Sequence, residues 1–257
     1  MKLLYKLLFL ITLLFLFSCN KDNSNYIHSP KKGGVSISFD DAYITSWYNS
    51  AFLLSKYHWK ATFDVTQINK LTEHQINQLF YLQKQGYEIA GHGLLHLHAL
   101  KFVSTYGMSA YLEQEIFPMI EIFNKKSLRL RSFVYPYSSR NSKIDSTLFN
   151  YFSILRTGTE AVKTPSEQVC FFNNSRLVTA LQIDDNVARV DDQYILDLLK
   201  YAKENNKILL LFGHKIVEGD SNYAYQVRIS RLKKICDYVD RNNMKFYNLS
   251  DLAKLIQ

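Results

Sequence analysis

His92 and His96 stand four residues apart in Ile89-Ala90-Gly91-His92-Gly93-Leu94-Leu95-His96, directly after an apolar run. Two imidazoles at that spacing can point at one metal ion. Upstream, Ser38-Phe39-Asp40-Asp41 ends in two adjacent carboxylates, and downstream Leu210-Leu211-Phe212-Gly213-His214 brings another histidine to the end of an apolar segment. Phe133-Val134-Tyr135-Pro136-Tyr137 lies between them. Two histidines and one carboxylate give three protein ligands and leave a position for water, the pattern of a catalytic rather than a structural site. A metal ion lowers the pKa of water from about 15.7 toward about 7 and so supplies hydroxide at neutral pH. Neighbouring aspartates in an extended chain point opposite ways, but a turn at the strand end lets both face one site. One can then ligate the metal while the other takes a proton from water, and His214 can protonate a leaving group. Alone, Asp40-Asp41 reads as a helix cap or a solvated turn and the histidines as structural or surface groups; together they describe a mononuclear metal hydrolase.

The surrounding chain alternates strands and helices. Strands are predicted at Val35 to Phe39, Ala61 to Val65, Tyr87 to Ala90, Ser132 to Tyr135, Ser153 to Arg156, Leu177 to Ile183, Lys207 to Phe212 and Phe246 to Leu249. Helices are predicted at Ala42 to His58, from the capping box Thr72-x-x-Gln75 through Gln85, at Ser109 to Asn124 with a kink or break at Pro118, at Lys143 to Asn150, Asp191 to Asn205 and Tyr225 to Asn243, and after Asn248. This order argues for an α/β fold with a parallel sheet, whose chemistry gathers at the carboxyl ends of the strands. Each candidate motif falls at such an end.

On these four motifs the chain resembles the polysaccharide deacetylases with the NodB-homology fold, carbohydrate esterase family four, over residues 33–257. The first motif of that family is Thr-Phe-Asp-Asp-Gly, here Ser38-Phe39-Asp40-Asp41-Ala42; the second is His-Ser/Thr-x-x-His, here His92 to His96. The third is Arg-x-Pro-Tyr-Gly-like, here Val134-Tyr135-Pro136-Tyr137-Ser138, and an apolar-x-His motif is matched by Phe212-Gly213-His214. The resemblance implies a single-domain distorted (β/α) barrel and a hydrolase that removes N-acetyl groups from an acetylated amino-sugar polysaccharide. It implies Asp41, His92 and His96 as metal ligands, Asp40 as base, His214 as acid and the Tyr137 backbone N–H as an oxyanion donor. Zinc is the default divalent ion for such ligands, with cobalt, nickel and manganese open. Three departures stand out: Val134 replaces the arginine that orients the base, with Arg131 or Arg140 as substitutes; Ala42 and Ser138 replace glycines; and the fourth motif, Asp with Trp, is not visible. Asp184 or Asp185 can take the acidic role beside His214, and Leu209 and Leu211 can line an acetyl pocket. These departures leave two rival readings: an O-acetyl esterase or small-amide hydrolase on the same metal, or a glycan-binding lipoprotein without turnover.

The first residues read as targeting. Met1-Lys2 and Lys6 precede an apolar run, Leu7 to Phe17, too short for a comfortable membrane span, ending in Leu16-Phe17-Ser18-Cys19. The ending resembles the lipobox of bacterial lipoproteins. It implies a signal peptide over 1–18, lipidation of Cys19 and a tether over 19–32, with the domain held at the bacterial cell envelope, on the outer membrane or in the periplasm. Loss of Lys2 and Lys6 lowers the formal charge from +8 to +6. The basic residues are scattered and no nucleic-acid motif is present; the two resemblances imply an acetylated polysaccharide and the membrane as partners, with the domain expected as a monomer. Cys170 and Cys236 can pair or stay free. His98 reads as a bystander, and His28, His58 and His74 as tether or surface residues.

Overall fold

The computed structural model describes residues 32–221 and 223–256. The signal peptide, Cys19, His28 and nearly all of the tether lie outside the described residues. Seven parallel strands close into a barrel: β1 (Gly34–Asp41), β2 (Thr62–Val65), β3 (Glu88–Gly91), β4 (Ser132–Val134), β5 (Ile154–Thr159), β6 (Leu177–Gln182) and β7 (Ile208–Gly213). Closure is made by β1 against β7, in register from Gly34↔Ile208 to Phe39↔Gly213. The seam between β3 and β4 is a single pair, Gly91↔Phe133. The fold is the (β/α) barrel expected from the sequence.

Helices ring the barrel: α1 (Ile44–Leu53), α2 (Glu73–Lys84), α3 (Ala99–Tyr111), α4 (Phe117–Lys125), α5 (Ser142–Leu148), α6 (Asp192–Glu204) and, after two short paired strands β8 (Lys215–Val217) and β9 (Gln226–Arg228), α7 (Ile229–Arg241). The pleat sorts each strand between two environments. On β1, Val35, Ile37 and Phe39 pack under the helices with Trp47 and Leu54, while Ser36, Ser38 and Asp40 alternate with them and turn to the lumen. On β7, Leu209 and Leu211 join the helix-side core, and Leu210 and Phe212 the second, inner cluster. Strand β10 (Lys245–Tyr247) and helix α8 (Leu249–Ala253) close the amino-terminal end of the barrel, where Tyr247, Leu249 and Leu252 pack on Ile154, Val178 and Ile208.

Local rules account for most element ends. Thr72 and Gln75 form the reciprocal capping box of α2, and Gly86, at φ +90, stops it. Three segments differ from the sequence reading. The helix predicted from Ser109 begins at Ala99, because the His98 side chain caps it at Lys101 N–H, and Gly107 breaks its dihedrals midway. Pro118 stands just past the point where a π turn, residues 112–116, gives way to α4. It lies in the first turn of α4, where a missing N–H costs little. Residues 226–228 form a strand before α7, since β8 offers them a partner. Cys170 and Cys236 are both buried free thiols, and His58 and His74 are exposed.

Candidate active site

Asp40, Asp41, His92, His96, Tyr137 and His214 line one cavity of about 440 Å³ at the carboxyl end of the barrel. β1 delivers the aspartates side by side: Asp40 ends the lumen face, and Asp41 leaves the strand with φ 86. That left-handed turn lets both carboxylates face the cavity. His92 follows β3 on its lumen face, and its Nδ1–H donates to the Val134 carbonyl at 3.0 Å, which leaves Nε2 as the acceptor facing the site. His96 Nδ1 lies 3.1 Å from the Tyr137 hydroxyl.

The two Nε2 atoms are 3.2 Å apart, and Asp41 Oδ1 lies 3.5 Å from that of His96 and 3.8 Å from that of His92. Ligands at about 2.0–2.2 Å around a tetrahedral ion are separated by about 3.3–3.6 Å, so these three atoms form a face that fits one divalent cation. Burial pulls His92 down to about 4 and also lowers His96, so both imidazoles are neutral at pH 7, the form that ligates. Burial raises Asp41 against the pull of His214, and the Asp40 carboxylate adds to the rise. This is the one such cluster of potential ligands among the described residues.

Asp40 has a partner that the motifs do not contain. Arg156, on the lumen face of β5, donates through one guanidinium nitrogen to Asp40 Oδ1 and, at 3.3 Å, to Asp64 Oδ2 on β2. Burial would raise Asp40, but Arg156, with His92 and His214, outweighs it and holds the carboxyl well below the usual range. Asp64 moves the other way: burial and the Asp40 charge raise it well above its ordinary value against the pull of Arg156. One guanidinium therefore bridges two carboxyls whose pKa values move in opposite directions. Its flat face rests on the Phe212 ring, with Cζ 4.4 Å from the centroid.

The substitutes considered from sequence do not reach Asp40. Arg131 is exposed before β4, at the opposite end of the barrel from the cavity, and Arg140 pairs with Asp145. A signal for Arg156 was present: a lone charge within a buried strand requires a partner.

His214 is held at three points. Asp184, fully buried after β6, accepts from His214 Nδ1 at 2.6 Å and from its backbone N–H at 3.1 Å, and Trp47 Nε1 donates to the His214 carbonyl at 3.0 Å. Gln182 fixes Asp184 by a 2.8 Å hydrogen bond. Burial lowers the His214 pKa, but the hydrogen bond to Asp184 and the carboxylates Asp40, Asp184 and Asp41 outweigh it, and the net shift is upward. Asp185 faces away, paired with Arg228 and Arg231.

The remaining lining departs from the sequence expectation. Leu209 and Leu211 lie on the helix side of β7, because the pleat sends Phe212 to the cavity instead. Tyr137 and Tyr225 flank the opening, with ring centroids 4.7 Å from that of His96 and 4.8 Å from that of His214. His98 stays outside the ligand cluster and the cavity lining; it bonds Ser139 Oγ at 2.7 Å and stacks on Tyr137. Ser138, at a position where the resembled motif has glycine, has φ 53; Ala42, at the other, does not have a positive φ.

Residues 28–150 match the polysaccharide deacetylase family. No curated protein matches the chain. Among solved structures, the chain is similar to the peptidoglycan deacetylase PdaC of Bacillus subtilis (D285S mutant), with 16% identity and a TM-score of 0.54 over 88% of this chain and 92% of that one. It is similar to the chitin deacetylase of the fungus Colletotrichum lindemuthianum, with 12% identity and a TM-score of 0.58 over 87% and 88%. It is also similar to a peptidoglycan N-acetylglucosamine deacetylase catalytic domain from Eubacterium rectale, with 16% identity and a TM-score of 0.52 over 85% and 89%. At these identities the likeness is one of fold.

Proposed function

We propose that the protein is a metal-dependent deacetylase of the polysaccharide deacetylase family that removes N-acetyl groups from an amino-sugar polymer. One observation carries the reading: a three-ligand face, Asp41-His92-His96, lies between an Arg-paired aspartate and an Asp-paired histidine in one cavity. Asp41, His92 and His96 would hold one divalent ion, zinc by default, which would act as a Lewis acid on the acetyl carbonyl and make water a nucleophile at neutral pH.

The chain's own residues do the rest. Asp40, kept anionic by Arg156, takes a proton from the attacking water. The Tyr137 backbone N–H donates to the developing oxyanion. His214, held through Nδ1 by Asp184, gives the proton on Nε2 to the amine as the carbon–nitrogen bond breaks, so that acetate and a free amine leave. The pairings of Arg156 with Asp40 and of Asp184 with His214 support turnover over the binding-only reading that the departures left open. The Leu16-Phe17-Ser18-Cys19 ending supports a lipid-anchored form at the bacterial cell envelope.

The test is acetate release from a panel of N-acetylated and O-acetylated sugar oligomers, with metal-loaded against chelator-treated protein. Metal-dependent release from the N-acetyl substrates supports the reading. Release from esters alone would make it an O-acetyl esterase, and none from metallated protein would overturn the enzyme reading.

A further inference from the structure

The loop that carries His96 is held by a carboxylate outside every motif. Between α3 and α4 the helix passes through one π turn, Leu112–Ile116, a feature frequent at functional sites. The turn carries Glu115, which is fully buried. Glu115 Oε2 accepts the N–H of Leu95 at 2.6 Å, and Oε1 accepts the N–H of Leu97 at 2.9 Å, the residues on either side of His96. No lysine or arginine pairs with Glu115 among the described residues. Backbone N–H dipoles answer its charge.

The loop is shaped for this anion. Gly93 has φ 78 and His96 φ 61, and such left-handed residues turn backbone N–H groups toward a concave anion site. A Cβ on residue 93 would lie 2.1 Å from Glu115 Oε1, so the space that a side chain would take at 93 is filled by the carboxylate. On its other side the loop is fixed at the Gly93 carbonyl, which accepts from Thr66 Oγ1 at 2.9 Å and from Gln67 N–H at 3.2 Å. His96 thus stands on a segment gripped from the residues that follow β2 and from the π turn.

We propose that Glu115 is the positioning residue of the metal centre, clamping residues 93–97 so that His96 Nε2 converges with His92 Nε2 and Asp41. The proposal rests on reading those three side chains as metal ligands. Glu115→Gln keeps the shape and removes the charge and one acceptor; Glu115→Ala removes the clamp. In the full-length, metal-free protein, amide exchange at Leu95 and Leu97 should quicken about tenfold or more in Glu115→Gln, with the β1 and β2 amides unchanged. Zinc and cobalt affinities, read by competition with a chromophoric chelator, should weaken about 10- to 100-fold in both variants. If Glu115→Ala does not fold, the isosteric Glu115→Gln decides by the same two readouts. Unchanged exchange at Leu95 and Leu97, or metal affinity within about twofold of wild type in folded Glu115→Gln, would overturn the proposal. Failure of the wild-type protein to bind either metal would sink the ligand reading instead, and the exchange rates would still decide whether Glu115 holds the loop.

Discussion

Val134 and Arg156 are register partners on β4 and β5. Both face the lumen, so the guanidinium absent from the third motif at Val134 enters at the same height of the barrel from the adjacent strand. Arg156→Val should lower kcat about 100-fold, because Asp40 loses the group that orients it, and should destabilise the fold by about 3–5 kcal/mol, because a buried carboxylate loses its partner. Adding Val134→Arg to that variant should restore part of both. The measurements are kcat for acetate release and the urea midpoint. No recovery of either in a folded, metallated double variant would show that the site requires arginine on β5.

His214 receives its tuning from Asp184. Their hydrogen bond contributes to raising the histidine above its ordinary value despite burial. A general acid must be protonated, so activity is present below the folded pKa of His214 and declines as pH rises through it. Asp184→Asn removes the raising partner and should move the alkaline limb of the kcat profile to lower pH. The profile is to be recorded at saturating metal, and an unmoved limb would mean that another group sets it.

Much of this site was legible because its chemistry sits where strands end. Asp40, His92 and His214 each end or follow a strand whose pleat fixes the side they face, and Asp41 joins them through its left-handed turn. Three features were hidden for physical reasons. Arg156 is one charge in a six-residue strand, and its partner, Asp40, lies 116 residues away. Glu115 sits in a sequence that scans as an ordinary amphipathic helix, and only the π turn aims it inward. With no fourth-motif tryptophan visible, Leu209 and Leu211 were the candidates for the acetyl pocket, whereas alternation on β7 gives the cavity Phe212.

Ser138 presents two opposed local effects. Its φ of 53 belongs to the left-handed region, at a cost of about 1 kcal/mol relative to glycine. Its hydroxyl accepts the Gly158 N–H at 2.8 Å, worth about 1 kcal/mol. Ser138→Gly exchanges one for the other and should leave the denaturation midpoint nearly unchanged. Ser138→Ala keeps the strain and loses the bond, and should destabilise by about 1 kcal/mol. Equal midpoints for the two variants would show that the backbone carries no strain there.

Asp40 and Asp41 are adjacent in sequence, yet substitution should separate their roles. Asp40→Asn leaves the ligand face of Asp41, His92 and His96 intact and removes the base beside it. Metal affinity should stay within about threefold of wild type, while acetate release should fall about 100- to 10,000-fold, the range of general-base catalysis. Asp41→Asn should do the reverse first: it removes the only anionic ligand of the triad, so metal affinity should drop and activity with it, with partial recovery at high metal concentration. Excess metal should not rescue Asp40→Asn, since nothing it loses is a ligand. Isothermal titration with zinc beside an acetate assay at rising metal distinguishes the two, and undiminished turnover in Asp40→Asn would assign the base elsewhere.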